Sequence, residues 1–367
     1  MKNLELRIMR RDFEFSILNS QFLIFVAVCA LCVCSRAEDL RFRFQPGDKF
    51  SLVSVTQTRR TRSLSPDTNQ DSLVADTDSA KQTFRTRGDL DIEEVEPDGS
   101  AWAKYTYRQV ALKIEGEGTE IDFDSDESRS QSSSTESSFS RPGRRAEAPI
   151  QALPWISVIN EGFYLRITPQ GRITNINGLN AVIGNAKSKI PNVPIKGQFN
   201  SAIEQQFSEQ SVKRSLTNQL AVFPDANASP VSTGDTWSRI QIEDEEAITT
   251  KRTYQLKEYR DGAALVDVNI IVASVPDAGP VFIREMRAER EISGRGAGQI
   301  EIEQSSGRII NSTTTQDLVE KIRFLPQGPI RRPPPAPAPA RTHIVTTFQM
   351  IKREPDKLPV ASEANQP

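Results

Sequence analysis

The sequence predicts a mainly β protein of the α+β class, with two related, curved antiparallel sheets and a helical segment between them. Three observations predict this fold. Runs of residues alternate between apolar and polar side chains, turn-forming dipeptides separate these runs, and the same three turn marks recur in the same order in each half of the chain. Alternation is typical of strands with one buried face, and ordered repetition indicates an internal duplication.

The three marks all contain glycine. In order, they are Gly47-Asp48 and Gly234-Asp235, then Asp98-Gly99 and Asp261-Gly262, then Gly171-Arg172-Ile173 and Gly307-Arg308-Ile309. Asp-Gly between alternating runs is a strong hairpin signal, because glycine accepts the positive φ of a tight turn. Corresponding marks lie 187, 163 and 136 residues apart, so the first half is longer. Two polar inserts, at 65–80 and 124–149, account for the excess.

The N-terminus predicts export. Basic residues precede the apolar run FLIFVAVCALCV at 22–33, and CSRAED follows it. This order is typical of a signal peptide, predicted over residues 1–37 with cleavage between Ala37 and Glu38. The run has 12 residues, fewer than the roughly 18 to 20 that span a bilayer. An uncleaved anchor remains the alternative.

The cysteine content and net charge of the chain exclude several kinds of site and partner. The three cysteines all lie within the predicted signal peptide, so the mature chain forms no disulfide and no thiolate metal site. Residues 38–367 contain 41 Lys and Arg against 45 Asp and Glu, which gives no reason to expect nucleic acid as a partner. We expect no stable membrane span after cleavage, and no cofactor.

The first β half is predicted over residues 38–197, with a disordered Ser-rich loop at 124–149. Val110, Leu112 and Ile114 alternate onto one face of a strand. The aromatic residues before them, Trp102, Tyr105 and Tyr107, change phase, which indicates a β-bulge near Arg108.

A helical segment is predicted over residues 198–224. Ser201 and Glu204 form a capping-box pattern, and apolar residues recur at helical spacing at Ile203, Phe207, Val212, Leu216 and Leu220. Such a stripe normally packs on a core, and we expect it to cover a sheet.

The second β half is predicted over residues 225–354. Ala264, Val266, Val268, Ile270 and Val272 fall on one face of a strand. A Pro-rich loop at 325–340 precedes an alternating run from Thr342 to Lys352, which predicts a final strand. Residues 355–367 are predicted to form a disordered tail.

The stretch AVFPDANASPVSTGDTW, which begins at the end of the helical segment, resembles a family of exported bacterial proteins known as domain of unknown function 6263. The matching residues are Phe223, Pro224, Pro230, Val231, Gly234, Asp235 and Trp237. The resemblance covers most of residues 40–352 and departs in the Ser-rich tract and the Pro-rich loop. It implies an exported, mostly β bacterial protein in the periplasm or outside the cell, and it supplies no catalytic residues. Two curved sheets backed by helix are also analogous to lipoprotein-carrier half-barrels.

Familiar catalytic and metal-binding patterns are missing. His343 is the single histidine, and we interpret it as a polar strand residue. The acidic run DFDSDE at 122–127 lacks the glycine of a calcium loop, EDEE at 243–246 reads as a solvated strand edge, and GRGAG at 294–298 indicates a bend or bulge between strands. We therefore expect no enzyme, and no catalytic, cofactor or metal site.

Two functions remain open. We favour an envelope protein that binds or scaffolds a partner protein, and the alternative is a carrier of a lipid or other apolar ligand on a concave sheet face. Candidates for a ligand groove are Trp102, Trp155 and Trp237, although large aromatic residues are more often part of a core.

Overall fold

A computed structural model describes residues 39–63, 77–116, 119–126, 152–190, 196–226, 230–243, 247–275, 279–283, 286–326 and 337–354. The predicted signal peptide with its cleavage site at Ala37 and Glu38, the predicted tail, and most of both predicted loops lie outside these residues.

The described residues form thirteen strands of one antiparallel sheet. The strands are β1 Lys49–Ser63, β2 Thr77–Val95, β3 Ala101–Gly116, β4 Thr119–Asp124, β5 Gly162–Ile167, β6 Ile173–Asn177, β7 Thr236–Glu243, β8 Ile248–Arg260, β9 Ala263–Ser274, β10 Val281–Ile283, β11 Met286–Glu303, β12 Ile309–Phe324 and β13 Ala340–Lys352. Their order is β6-β5-β3-β2-β1-β13-β12-β11-β9-β8-β7, while β4 pairs with β3 and β10 with β11.

The two halves of the chain contribute strands in the same order. The first half gives β1-β2-β3-β5-β6, and the second gives β7-β8-β9-β11-β12. The predicted final strand, β13, lies between them and pairs with β1 on one side and β12 on the other. The mainly β, antiparallel fold is confirmed, and the sheets of the two halves are continuous with each other.

The first turn mark has the same hydrogen bonds in both halves. The Gly47 N–H donates to the Ile92 carbonyl at 2.8 Å, and the Gly234 N–H donates to the Leu256 carbonyl at 2.7 Å. The Asp235 carboxylate accepts from a backbone N–H three residues earlier, as its counterpart in the first half does. The glycines of all three marks have positive φ, between 74° and 94°. This shared geometry agrees with the predicted duplication.

Alternate residues of the strands bury one face of the sheet, which we call the inner face. On β9 the predicted apolar residues are all buried. On β3 the pairing with β2 shifts register between Arg87 and Gly88 and skips Arg108, so the predicted bulge is confirmed. The main hydrophobic core contains inner-face residues of both halves, and Leu112, Phe123 and Ala152 form a smaller separate cluster.

Helices cover part of the inner face. They are α1 Leu153–Ser157, α2 Leu179–Lys189, α3 Lys196–Gln206 and α4 Glu209–Leu220. In the predicted helical segment the apolar stripe is buried, as expected, but it is divided between α3 and α4. The predicted cap at Ser201 is wrong: Ser201 lies inside α3, and Ser208 caps α4 by accepting from the Ser211 N–H at 3.2 Å. None of the helices in the described residues is long and apolar enough to cross a bilayer.

The glycines of GRGAG lie inside β11 and not between strands as predicted. The register between β11 and β12 is continuous at these residues. A Cβ on Gly296 would lie 2.5 Å from the Thr315 carbonyl oxygen on β12. Glycine is required here because the backbones of β11 and β12 approach closely on the inner face.

Candidate functional site

A cleft of about 680 Å³ lies where the two terminal strands of the sheet order, β6 and β7, approach each other. The sheet therefore curls until its ends face one cavity, which we call the seam cleft. The volume is in the range of ordinary ligand sites. The lining comes from β6 and the residue before it, from α4 and the segment after it, and from β7 and β8.

Helix α4 forms one wall of the seam cleft. Its buried residues Val212, Leu216 and Leu220 face the core. The residues that line the cleft recur at helical spacing on the other side, at Gln210, Lys213, Arg214, Thr217 and Asn218. The amphipathic pattern of the helix thus fixes which side chains the cleft receives.

Strand β7 forms the opposite wall, and inner-face side chains hold it in place. The Trp237 Nε1–H donates to the Val222 carbonyl at 2.9 Å, and Arg239 donates to the Phe223 carbonyl. Trp237 also stacks on Tyr254 of β8, with 5.6 Å between ring centroids. These contacts fasten β7 to the segment that leaves α4.

Replacing Trp237 with phenylalanine tests this attachment. The variant keeps a ring to stack on Tyr254 but loses the hydrogen bond to the Val222 carbonyl. We expect the free energy of unfolding to fall by about 1 kcal/mol, the usual net value of one hydrogen bond. Urea denaturation measures the change. A Trp102→Phe variant is the control, since the indole N–H of Trp102 bonds the Glu96 carboxylate, which keeps Arg166 as a partner when the indole is lost. An equal or larger loss in the control would contradict the prediction.

The described lining of the seam cleft is strongly cationic. Five cationic side chains face one carboxylate, that of Asp225; the cations are Arg172, Lys213, Arg214, Arg239 and Arg252. Asp225 pairs with Arg172 and lies 3.8 Å from Arg239. Arg214 lies 3.6 Å from Glu243, just outside the lining. The protein has a slight net negative charge, so this local excess is not a property of the whole surface.

Arg239 is a buried cation with an incomplete set of hydrogen bonds. Its side chain is mostly buried, and its Nε has no hydrogen-bond partner among the described residues. Burial, and then the neighbouring Arg172, lower the pKa of the Arg239 guanidinium. A buried cation that keeps an unused donor is stabilised by an added anion.

The remaining lining gives the cleft an apolar rim. Ile240 and Ile242 of β7 are 66% and 59% exposed on the outer face of the sheet. The cleft can therefore contact apolar groups and anionic groups of one ligand at the same time.

The three tryptophans proposed from the sequence lie in different places. Trp155, on α1, packs against Phe84 and Phe207 with ring centroids 4.8 and 5.0 Å apart. Trp102 lies on the outer face of β3, where its indole donates to Glu96 at 3.1 Å. Trp237 lies beside the seam cleft. The structure does not bring the three together in one groove.

The other singled-out residues have local partners. His343 lies on β13, with its Nδ1 2.7 Å from an Asp317 carboxylate oxygen. Asp124, in the acidic run, accepts two hydrogen bonds from the Gln109 amide at 2.9 and 3.0 Å. Glu243 ends β7, and residues 244–246 lie outside the described part of the chain. In that part there is no cluster of three or more His, Cys, Asp or Glu side chains that could hold a metal.

The sequence does not predict the seam cleft, because the cations that line it come from four separate segments. One signal was available. On β7 the apolar residues Ile240 and Ile242 alternate with Arg239 and Gln241, and the structure places the polar set on the inner face. Polar side chains on the inner face of a strand indicate that the space in front of them holds water or a ligand and not an apolar core.

Comparison with known proteins gives a family and several distant structural similarities. A family model described as "Family of unknown function (DUF6263)" matches residues 98–309. No curated protein matches the chain. The structure is similar to lipovitellin, from a study of its lipid-protein interactions, with 12% identity, a TM-score of 0.40, and coverage of 88% of this chain and 26% of that one. The chain thus spans about a quarter of that protein's length.

Two outer-membrane proteins are also similar. An outer membrane channel from Pseudomonas putida F1 has 8% identity, a TM-score of 0.19, and coverage of 85% of this chain and 98% of that one. A bacterial polysaccharide outer membrane secretin has 7% identity, a TM-score of 0.23, and coverage of 82% and 98%. With TM-scores below 0.5, none of these similarities indicates what this chain binds.

Proposed function

Since the chain belongs to this family of unknown function, whose model matches more than half of it, we propose from its own residues that it is a non-catalytic binding protein that holds an anionic partner in the seam cleft. The observation that carries the proposal is the excess of five cationic side chains over one carboxylate in the lining. Guanidinium groups bind carboxylates, phosphates and sulfates through paired, charge-assisted hydrogen bonds.

The proposed location is outside the cytoplasm, in the periplasm or beyond. The support is the predicted signal peptide and the absence of cysteine after it. The envelope then supplies many anionic partners, both proteins and surface molecules. Binding in place of catalysis is supported by the residue inventory, because the single histidine lies at the exposed His343–Asp317 pair, away from the cleft.

The alternative of an apolar carrier is less well supported. On the inner face, buried side chains of the sheet and of the helical region fill the space in front of the sheet; Phe163 of β5, Phe207 between α3 and α4, and Phe223 after α4 are fully buried. An apolar ligand there would have to displace part of the core. The seam cleft is accessible without such a change, and its polar lining suits an anionic ligand better than a wholly apolar one.

A fluorescent trisulfonate, hydroxypyrene trisulfonate, tests the proposed function. We expect the purified protein to bind it at low salt, with affinity that falls as salt rises. Replacing both Lys213 and Arg214 with glutamine should weaken binding about tenfold or more, because two cations of one wall are lost. Fluorescence anisotropy gives the dissociation constants.

The matched control removes two exposed cations from strands far from the cleft, Arg85→Gln with Arg341→Gln. It lowers the net charge of the protein by the same amount. If the control weakened trisulfonate binding as much as the cleft variant, the anion site would not be in the seam cleft. Failure of the unaltered protein to bind the probe at low salt would overturn the proposed function.

A further inference from the structure

The two terminal strands of the sheet differ in how their free edges are covered. At β6, helix α4 supplies partners for the backbone: the Thr217 hydroxyl accepts from the Ile173 N–H at 3.3 Å, and the Lys213 ammonium donates to the Thr174 carbonyl at 3.2 Å. At β7, the backbone of Thr236–Glu243 makes no hydrogen bond to the backbone of any other described residue outside the sheet. Among the described residues, the β7 edge is therefore open, whereas α4 caps the β6 edge.

The open edge of β7 faces the seam cleft. Five consecutive residues of β7, 238–242, line the cleft, so both faces of the strand border it. The Asp235 carbonyl accepts from the Leu256 N–H at 3.0 Å, and bonding positions recur at every second residue of an antiparallel pair. The N–H and C=O groups of Ser238, Ile240 and Ile242 therefore point away from β8 and into the cleft.

The side chains at the β7 edge are polar or cationic on the inner face of the sheet and mainly apolar on the outer face. On the inner side, Arg239 faces the cations of α4 across the cleft. On the outer side, Ile240 and Ile242 are exposed; Ile271 on β9 is 49% exposed on the same face, with Lys251 of β8 between it and Ile240. Natural proteins usually protect an exposed apolar edge strand, because it readily pairs with another chain.

We propose that the occupant of the seam cleft is an extended acidic segment of a partner protein, which pairs antiparallel with β7 as an additional strand. This inference rests on the proposed function and names the ligand class. Acidic side chains at alternate positions of the segment face Arg239 and α4. The apolar side chains between them cover Ile240 and Ile242. Backbone bonds supply affinity and the alternation supplies specificity, as in other cases of strand addition.

The probe for this inference is a labelled heptapeptide of alternating valine and glutamate, beginning and ending with valine. At about 3.4 Å per residue, five central residues match the β7 stretch that lines the cleft. We expect it to bind at least tenfold more tightly than a peptide of the same composition with its glutamates in one block. A valine–lysine peptide of the same length should not bind.

Backbone methylation tests the hydrogen bonds directly. In antiparallel pairing the bonded residues share a face, so the valine amides of the peptide bond to β7. Methylating the valine nitrogens should abolish binding, and methylating the glutamate nitrogens should leave it nearly unchanged. Binding that tolerates both sets of methyl groups would overturn strand addition.

A protein variant separates this inference from the proposed function. Ile240→Thr with Ile242→Thr keeps strand-forming residues but removes the apolar contact. We expect peptide binding to weaken about tenfold and trisulfonate binding to weaken less, because the cations that hold the sulfonates stay in place. The single control Ile351→Thr removes an exposed isoleucine of β13, and it should alter neither.

The outcomes can be distinguished. If the protein bound trisulfonate but did not distinguish the alternating from the block peptide, the anion site would stand and the strand inference would fall. If it bound neither probe, both would fall. A dimer that the Ile240 and Ile242 variant dissociates would identify a second copy as the occupant and overturn the acidic partner.

Discussion

Gly171→Ala and Gly307→Ala are each expected to lower the free energy of unfolding by on the order of 4 kcal/mol, enough to threaten folding altogether. Both glycines have left-handed backbones, with φ of 77° and 74°. A Cβ on Gly171 would overlap the Leu220 carbonyl oxygen, and one on Gly307 would overlap the Arg41 carbonyl oxygen. Both obstacles are backbone, which cannot rotate away as a side chain would.

The control for these variants is Gly262→Ala. Its φ is also 77°, but a Cβ there would meet no atom within 4 Å. Its free energy of unfolding should fall by about 1 kcal/mol, which is the cost of placing alanine in the left-handed backbone region. Guanidinium denaturation of the three variants gives the comparison. Equal losses in all three would show that the third hairpin of each half does not pack against the chain as described.

Phe207→Ala is expected to cost about 3 to 5 kcal/mol of stability, as truncation of a fully buried aromatic residue usually does. Phe207 follows α3, and its ring lies 5.6 Å from that of Tyr107 on β3 and 5.0 Å from that of Trp155 on α1. The variant would leave a cavity where helix and sheet meet, and both neighbouring rings would lose an edge contact.

Tyr164→Ala is the matched control for Phe207→Ala. Tyr164 lies on β5 and is 39% exposed, so its truncation should cost about 1 kcal/mol or less. Thermal and urea denaturation should rank the two variants clearly. A loss below about 1 kcal/mol for Phe207→Ala would mean that the helical segment is not held by this contact.

Local patterns of the sequence were sufficient to predict the strands and the repeat. Apolar and polar residues alternate from Ala264 to Val272, so one face of this strand is buried whichever strands it pairs with. The apolar pattern changes phase at Arg108, which requires a bulge there. The glycine marks specify turns because few other residues adopt their φ. Each prediction depended on neighbours within a few residues.

The features that the sequence did not reveal depend on distant partners. The alternation of β13 is compatible with pairing at any open edge, so the sequence could not show that it joins the two halves. Ser201 and Ser208 are both acceptable caps, and the choice between them depends on how Phe207 enters the core. The seam cleft likewise requires β6 and β7, at opposite ends of the sheet, to be brought together by its curl.

The position of β13 also has a consequence for how the protein folds. Phe50 on β1 pairs with Lys352 on β13, about 300 residues later in the chain. Contacts of such sequence separation are slow to form, because the entropy of closing a very long loop is lost before any pairing energy is gained. During synthesis, β1 can therefore pair with β13 only after nearly all of the described chain has been made. Until β13 forms, β1 can pair with β2 and β12 with β11, but the edges of β1 and β12 that β13 later joins remain unpaired, and such edges are prone to aggregation.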